Sequence, residues 1–229
     1  MMAFSKCTAL RTITLPPAFT KIGSGSSKYG NGYCAFNGCT SLENINVPPS
    51  LYYIGNNAFN SCTSLEKLDL SNVTYIGASA FDTCSKLRNL ADTSKVETLG
   101  SWAFCNCKSL QIISLPSLTS NLGTNTFYNC TSLERIDSLG TTPKTIENGL
   151  GGEYGNYGFA YGCTSLTYVD LSCITSIGAS AFYSCTSLTN INIPESVTTI
   201  NSNAFNNCTS LIINNLSLPN LISIGSAVF

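Results

Sequence analysis

A cysteine returns along this chain at a nearly fixed interval, and that periodicity restricts its folding more than any other feature. Cys7, Cys39, Cys62, Cys84, Cys107, Cys130, Cys163, Cys185 and Cys208 are separated by 32, 23, 22, 23, 23, 33, 22 and 23 residues. The surrounding sequence recurs with them: AFNGCTSLENINVP starts at Ala35, AFNSCTSLEKLDL at Ala58, AFDTCSKLRNL at Ala80 and AFCNCKSLQIISLP at Ala103. It continues as TFYNCTSLERID from Thr126, AFYSCTSLTNINIP from Ala181 and AFNNCTSLI from Ala204. Self-similarity at periods of roughly 20–50 residues marks an array of stacked units.

Within a unit, Leu188, Ile191 and Ile193 have the spacing of a short strand with alternate residues buried. Pro194 stands where that strand should end. Val197 and Ile200 form a second apolar pair, followed by Ala204, Phe205 and the turn into Cys208. Each coil thus sends several side chains inward, yet no single coil can enclose them. Stacking closes the core, so stability is roughly a sum of coil and interface contributions. Strands stacked in register form a parallel sheet with ~4.8 Å between coils. Hydrophobic residues make up 43% of the 229 positions, enough for a core that runs the length of the stack.

The pattern AF-x-x-C-x-S-L-x-x-I-x-(I/L)-P followed by V-x-x-I resembles the BspA-like class of leucine-rich repeats, from Phe4 to Phe229. The resemblance implies a leucine-rich repeat solenoid, a right-handed β/α superhelix dominated by β-structure. Its parallel sheet would lie on the concave side, with short turns or 3-10 segments between strands. Members of that family are commonly modules of microbial surface proteins engaged in adhesion.

We expect one domain over residues 1–229, with about nine to ten repeats, belonging to a longer protein. Solenoids normally carry polar caps, and neither Phe4 nor Phe229 lies in one. A bare apolar end would also permit end-to-end self-association. Three units depart from the pattern. Phe159-Ala160 reverses the order of Ala35-Phe36, extra residues separate Leu211 from Leu216, and the unit after Ile136 runs into SLGTTPKT without its strand-ending proline.

Composition narrows the function. Lys plus Arg number 11 and Asp plus Glu 12, a net charge of -1, so the chain has few basic contacts to offer a phosphate backbone. Nucleic acid is not an expected partner. No apolar run approaches the ~20 residues of a membrane-spanning helix. There is no histidine, which removes the commonest general base and metal ligand and rules out Ser–His and Cys–His nucleophiles. No C-x-x-C occurs. The glycines of GSGSSKYGNG and GLGGEYGNYG do not link a strand to a helix as a phosphate-binding loop must. We therefore expect no metal, no cofactor and no catalysis, with a carbohydrate- or ester-active enzyme as the remotest alternative.

Nine of the twelve cysteines share one phase; Cys34, Cys105 and Cys173 do not. Side chains at one phase run parallel along a stack, whereas a disulfide needs Cβ atoms directed at each other. The expectation is a reduced structural ladder of thiols that fill the turn.

Two surfaces are candidates for binding. The first is the outward side of the strands, which carries Asn44, Asn46, Tyr168, Asp170, Asn190 and Asn192 among other short polar groups. The second is a pair of insertion loops, 23–34 and 147–158, that produce the two long cysteine intervals. From Ile22 to Phe36 and from Ile146 to Ala160 is 14 residues each, against five from Ile54 to Phe59. Both loops contain Tyr-Gly-Asn, and the residues to watch are Tyr29, Asn31, Tyr33, Tyr154, Asn156 and Tyr157. Equal phase puts the loops on one edge, five coils and roughly 24 Å apart. Long loops on a rigid scaffold often carry function, and tyrosine supplies contact area with a polar tip. The expected partner is a protein or glycan ligand, of a host or extracellular matrix, met at the cell surface or after secretion. An intracellular, cytoplasmic interaction scaffold is the alternative.

Overall fold

The computed structural model describes residues 3–23, 34–149, 157–213 and 216–229. Its strands, in chain order, are β1 Thr12–Thr14, β2 Lys21–Ile22, β3 Asn44–Asn46, β4 Tyr53–Ile54, β5 Lys67–Asp69, β6 Tyr75–Ile76, β7 Asn89–Ala91 and β8 Thr98–Leu99. They continue as β9 Ile112–Ser114, β10 Arg135–Ser138, β11 Lys144–Thr145, β12 Tyr168–Val169, β13 Ile174–Ile177, β14 Thr199–Ile200 and β15 Ser223–Ile224. Every pairing among them is parallel. No helical segment occurs among the described residues, so the linkers are turns and not 3-10 segments.

The strands fall on two faces of the solenoid. β1, β3, β5, β7, β9, β10 and β12 come from the Leu-x-x-Ile segment, and the others from the second apolar pair. On the first face Leu68 is buried between exposed Lys67 and Asp69, the alternation expected of a strand with one wet side. On the second face Ile54 pairs with Ile76 and Ile76 with Leu99, all turned inward. The coils approach closely where that strand ends. A Cβ on Gly55 would fall 2.0 Å from the Gly23 carbonyl oxygen, so no side chain fits there.

In six coils the corner through Ala-Phe-x-x-Cys depends on two left-handed residues. Asn57 and Ser61 have φ of 54° and 62°, Asn125 and Asn129 of 59° and 55°, and Asn203 and Asn207 of 59° and 62°. Asparagine tolerates this region because its short polar side chain bonds locally. Gly38 and Gly162 take the second position at φ 72° and 74°. The geometry aims alternate N–H groups along the stack: Asn57 donates to the Ala78 carbonyl at 2.9 Å, Phe59 to Ala80 at 2.8 Å and Ser61 to Asp82 at 2.8 Å. A third inter-coil ladder therefore runs along a corner that contains no strand.

Behind these ladders lies a continuous core whose largest members are Phe59, Phe81, Phe104, Phe127, Phe159, Phe182 and Phe205, all fully buried. From Phe4 through Phe36, Phe59, Phe81 and Phe104 to Phe127 the rings stack with centroids 5.2–5.7 Å apart and planes within 7°. Burying each such side chain contributes about 1.5–3 kcal/mol.

The first face is not the single stacked sheet that the repeat implies. It divides into β1-β3, β5-β7 and β9-β10-β12, and the second face into β2-β4-β6-β8 and β11-β13-β14-β15. Asn190 and Asn192 lie in a coil with no strand at that place. Between the coil of β7 and β8 and the coil of β9, strand pairing stops on both faces. The sequence accounts for this seam. Asp92, at φ 43°, follows β7 where Leu70 and Leu115 follow β5 and β9. On the second face, four residues lead from Leu118 to Leu122 where three lead from Val96 to Leu99, and the ladder loses register after Ser120. The corner bonds hold the seam together, with Trp102 donating to Thr124 at 3.0 Å, Phe104 to Thr126 at 2.9 Å and Asn106 to Tyr128 at 2.8 Å.

Candidate binding surfaces

On the first face Asn44, Asn46 and Tyr168 are exposed and Asp170 is half-buried. Side chains of neighbouring coils pair across it: Arg11 with Glu43 at 2.9 Å and Arg88 with Glu66 at 2.6 Å. Arg135 pairs within its own strand with Asp137 at 2.8 Å and sets its guanidinium 4.6 Å from the Tyr168 ring centre. These exposed pairs orient side chains more than they stabilise the fold. Asp170 has a local task as well, because its carboxylate accepts the Ser172 N–H at 2.9 Å. Asp69 does the same for Ser71 and Asp92 for Ser94, each at 2.9 Å. This Asx turn ends the strand where other coils use Pro48, Pro116 or Pro194. Asn190 and Asn192 are exposed but stand beyond the last strand of this face.

Of the loop residues, Tyr29, Asn31, Tyr33, Tyr154 and Asn156 lie outside the described residues. The flanks can be compared. A Cβ on Gly178 would fall 2.1 Å from the Glu147 carbonyl oxygen, as one on Gly55 would from that of Gly23, so both insertions leave equivalent corners. Tyr157 is described, and it does not stand alone at a loop tip. Its ring is 4.8 Å from Tyr128 and 5.5 Å from Tyr161, both edge-on. Tyr128 lies 5.6 Å from Tyr161 and 6.4 Å from Trp102, while Tyr161 stacks on Tyr183 at 4.7 Å and 8°.

These five half-buried aromatic rings form one patch on the corner edge. Sequence reasoning missed Trp102, Tyr128, Tyr161 and Tyr183, although a signal existed. Three of them directly follow Phe127, Ala160 and Phe182, at the phase where Asn37, Asn60, Asp82 and Asn206 stand in other coils. Burial, with neighbouring tyrosine hydroxyls, raises the Tyr128 and Tyr161 phenols above their usual range, so both remain neutral donors. A second stacked pair, Tyr53 and Tyr75 at 4.5 Å, lies on the second face, with the Lys21 ammonium 5.7 Å from the Tyr53 ring centre.

Ten of the twelve cysteines occupy the interior. The Cys62 thiol donates to the Phe36 carbonyl at 3.1 Å, Cys84 to Phe59 at 3.1 Å, Cys107 to Phe81 at 3.2 Å and Cys130 to Phe104 at 3.0 Å. Cys163 continues the series to Phe127 at 3.0 Å and Cys208 to Phe182 at 3.1 Å. Cys185 reaches the Ala160 carbonyl at 3.3 Å, since that residue takes the phenylalanine's backbone place in the reversed unit. Burial pushes the Cys62 thiol up to about 12 and raises those of Cys84, Cys107, Cys130 and Cys185 well above their ordinary range. Among the described residues no three acidic, cysteine or histidine side chains gather as a metal site would require.

The irregular SLGTTPKT stretch hides a lysine. Lys144 is buried, and its ammonium donates to the Leu118 and Leu139 carbonyls at 2.7 Å each and to the Thr142 hydroxyl at 3.3 Å. Gly140, at φ 86°, makes this possible: a Cβ there would meet the Leu118 oxygen at 2.2 Å and the lysine nitrogen at 2.9 Å. Cys173, also buried, shares the Leu139 carbonyl at 3.6 Å.

A surface cavity of about 420 Å³ opens at the seam between β7 and β9, beside Arg88, Leu90, Asp92, Gln111, Ile112 and Pro116. No described helix is long and apolar enough to cross a membrane.

The family model of the BspA type leucine rich repeat region matches residues 1–29, 31–148 and 152–229, in six copies. Among solved structures, the chain is similar to the leucine-rich repeat protein of T. pallidum, with 22% identity over 81% of this chain and 68% of that one, at a TM-score of 0.45. A leucine-rich repeat protein from Bacteroides ovatus is 25% identical over 98% of this chain and 77% of its own, at a TM-score of 0.38. A leucine rich cell surface protein from Faecalibacterium prausnitzii is 23% identical over 98% of this chain and 62% of its own, at a TM-score of 0.49. No curated protein matches the chain.

Proposed function

The chain belongs to the BspA-type leucine-rich repeat family, and on that footing we propose that it is a non-catalytic binding module for a protein or glycan partner. The observation that carries this reading is the patch of Trp102, Tyr128, Tyr157, Tyr161 and Tyr183 on the corner edge. Tyrosine and tryptophan offer large contact area, lose little conformational freedom and keep a polar tip for a hydrogen bond. The corner ladder ties the backbone beneath them to the neighbouring coils, which favours an arrangement set before a ligand arrives. We count Tyr154, Asn156, Tyr29, Asn31 and Tyr33, which lie outside the described residues, among the side chains that contact the ligand. Asn44, Asn46 and Tyr168 add contacts on the strand face. The setting we assign is adhesion at a cell surface, with the thiols a reduced ladder that serves the fold alone.

The test is a glycan and extracellular-matrix protein array, developed with the wild-type chain and with the Tyr157→Ala/Tyr161→Ala variant. Any ligand captured by the wild type should lose at least tenfold in affinity while the melting temperature of the variant stays near that of the wild type. Unchanged capture by the variant overturns the reading. A second reading, an intracellular interaction scaffold, draws on the thiols, since disulfide-free cysteine-rich chains suit a reducing compartment. Immunolocalisation of the full-length protein separates the two.

A further inference from the structure

We propose that the seam between β7 and β9 is a slot for an extended peptide of a partner protein, which enters as an added strand. The inference rests on the reading of the chain as a binding module and names the chemistry of one site within it. β7 pairs with β5 on one side, and β9 with β10. The other edge of each strand faces the cleft, with no described strand paired to it. A strand edge offers N–H and carbonyl groups at the spacing of another backbone, which an extended peptide matches and a sugar does not. β3 and β5 are likewise not paired with each other, yet there the second face stays bonded through β4 and β6. At the β7/β9 seam the second-face sheet ends as well, and outside the corner few bonds still cross it. The Glu97 carbonyl accepts the Thr119 and Ser120 N–H groups at 2.9 and 3.2 Å, and the Thr93 hydroxyl donates to the Ser114 carbonyl, a bond that an entering strand would replace.

Charge sets the kind of peptide. Arg88 and Gln111 stand at one end of the cleft and Asp92 at the other. The three residues of β7 separate Arg88 from Asp92, four steps or roughly 13 Å. Glu66 engages one arm of the Arg88 guanidinium at 2.6 Å, which leaves further donors of the fork to a ligand. The Ser94 hydroxyl and N–H hold the Asp92 carboxyl below its usual range, so it is anionic. Between them Ile112, 51% exposed, makes an apolar floor with Leu90 and Pro116. The occupant is a short stretch with an acidic side chain beside Arg88, a basic one beside Asp92 and a β-branched residue between.

The experiment pans a bead-displayed library of random eight-residue peptides against the whole chain and measures enriched, fluorescein-labelled peptides by anisotropy. Enriched sequences should carry opposite charges about four residues apart, and bound peptide should slow amide exchange in residues 89–91 and 112–114. The Arg88→Glu/Asp92→Lys variant should bind them at least tenfold more weakly and recover affinity for peptides with the two charges exchanged. Both positions are exposed, and a matching thermal melt shows that the variant is folded; Ile112→Lys gives a second, independent loss. Failure to enrich any peptide, or peptides that bind the reversed variant equally well, overturns the slot. If array ligands still depend on Tyr157, the binding-module reading survives that failure. A glycan whose capture depends on Arg88 and Asp92 also overturns it.

Discussion

The ring of Phe159 stands at 84° to that of Phe127, 5.3 Å away. On its other side it meets Phe182 at 79°, while the remaining described pairs of the column lie within 9° of parallel. The reversed Phe159-Ala160 order explains the difference. Phe127 donates to the Phe159 carbonyl at 2.8 Å, just as Phe81 donates to that of Ala103. Phe159 therefore holds the alanine's backbone place and reaches the column from one residue away, edge-on.

That relationship can be tested by restoring the order. Phe159→Ala alone should cost about 3–5 kcal/mol, the usual loss for a buried phenylalanine. The double change Phe159→Ala/Ala160→Phe should recover most of it, as read from urea midpoints at constant slope. If the double variant is no more stable than the single, the ring does not follow the backbone phase.

The thiol column predicts loss of stability in alkali. The folded state holds Cys62 up at about 12, and Cys84, Cys107, Cys130 and Cys185 well above their ordinary value of 9.0, because a thiolate is poorly solvated in the core. The unfolded chain regains ordinary values and sheds those protons above pH 9. The contribution of these groups is complete below that pH and declines as pH rises, by about 1.4 kcal/mol per pH unit for each fully ionised thiol. Urea titrations from pH 7.5 to 10.5 should show the decline, and Cys84→Ala should make it shallower. A flat profile would mean the thiols are not buried.

Thiol labelling gives a kinetic check. Cys7 is exposed and Cys34 half-buried, whereas the other ten described cysteines are buried. With an aromatic disulfide reagent at pH 8, Cys7 should react first and Cys34 more slowly. The ten should appear only at the rate of opening or unfolding. Ten rapid equivalents would contradict the interior placement.

Lys144 should matter more than its lone charge suggests. Lys144→Met keeps the aliphatic stem but strips the Leu118 and Leu139 carbonyls of their donor, which should cost about 1–3 kcal/mol. Burial also lowers the lysine's pKa below its ordinary 10.5, the nearby Cys173 thiol pulling the other way. The unfolded chain then binds more protons between the folded and ordinary values, so this group's contribution rises with pH through that window. The wild-type-minus-Met difference in urea midpoint should grow as pH approaches 10.5; a constant difference would place the amine in water.

Legibility followed the range of the interactions involved. The period, the inward Leu-x-x-Ile residues, the cysteine phase and the equivalent placing of the two insertions are all carried by residues close in sequence and copied many times. Each copy confirms the others, and the outward places of Asn44, Asn46 and Tyr168 followed directly. Features that depend on a single coil were not legible. The second apolar pair became strands because parallel neighbours supplied the partners, and two residues alone do not announce a strand.

What the sequence by itself determined is the solenoid, since apolar side chains repeating every two dozen residues can be buried only by stacking. What only the tertiary structure decided is where the stack is imperfect and what gathers there. Tyr128, Tyr157, Tyr161 and Tyr183 lie in three successive coils and touch because those coils pile up. Asp92 and the extra residue before Leu122 each look harmless, yet both fall at one interface and break pairing on both faces. Lys144 is buried because Gly140 leaves room for its head between two carbonyls. Such outcomes depend on distances between coils, which no single repeat encodes.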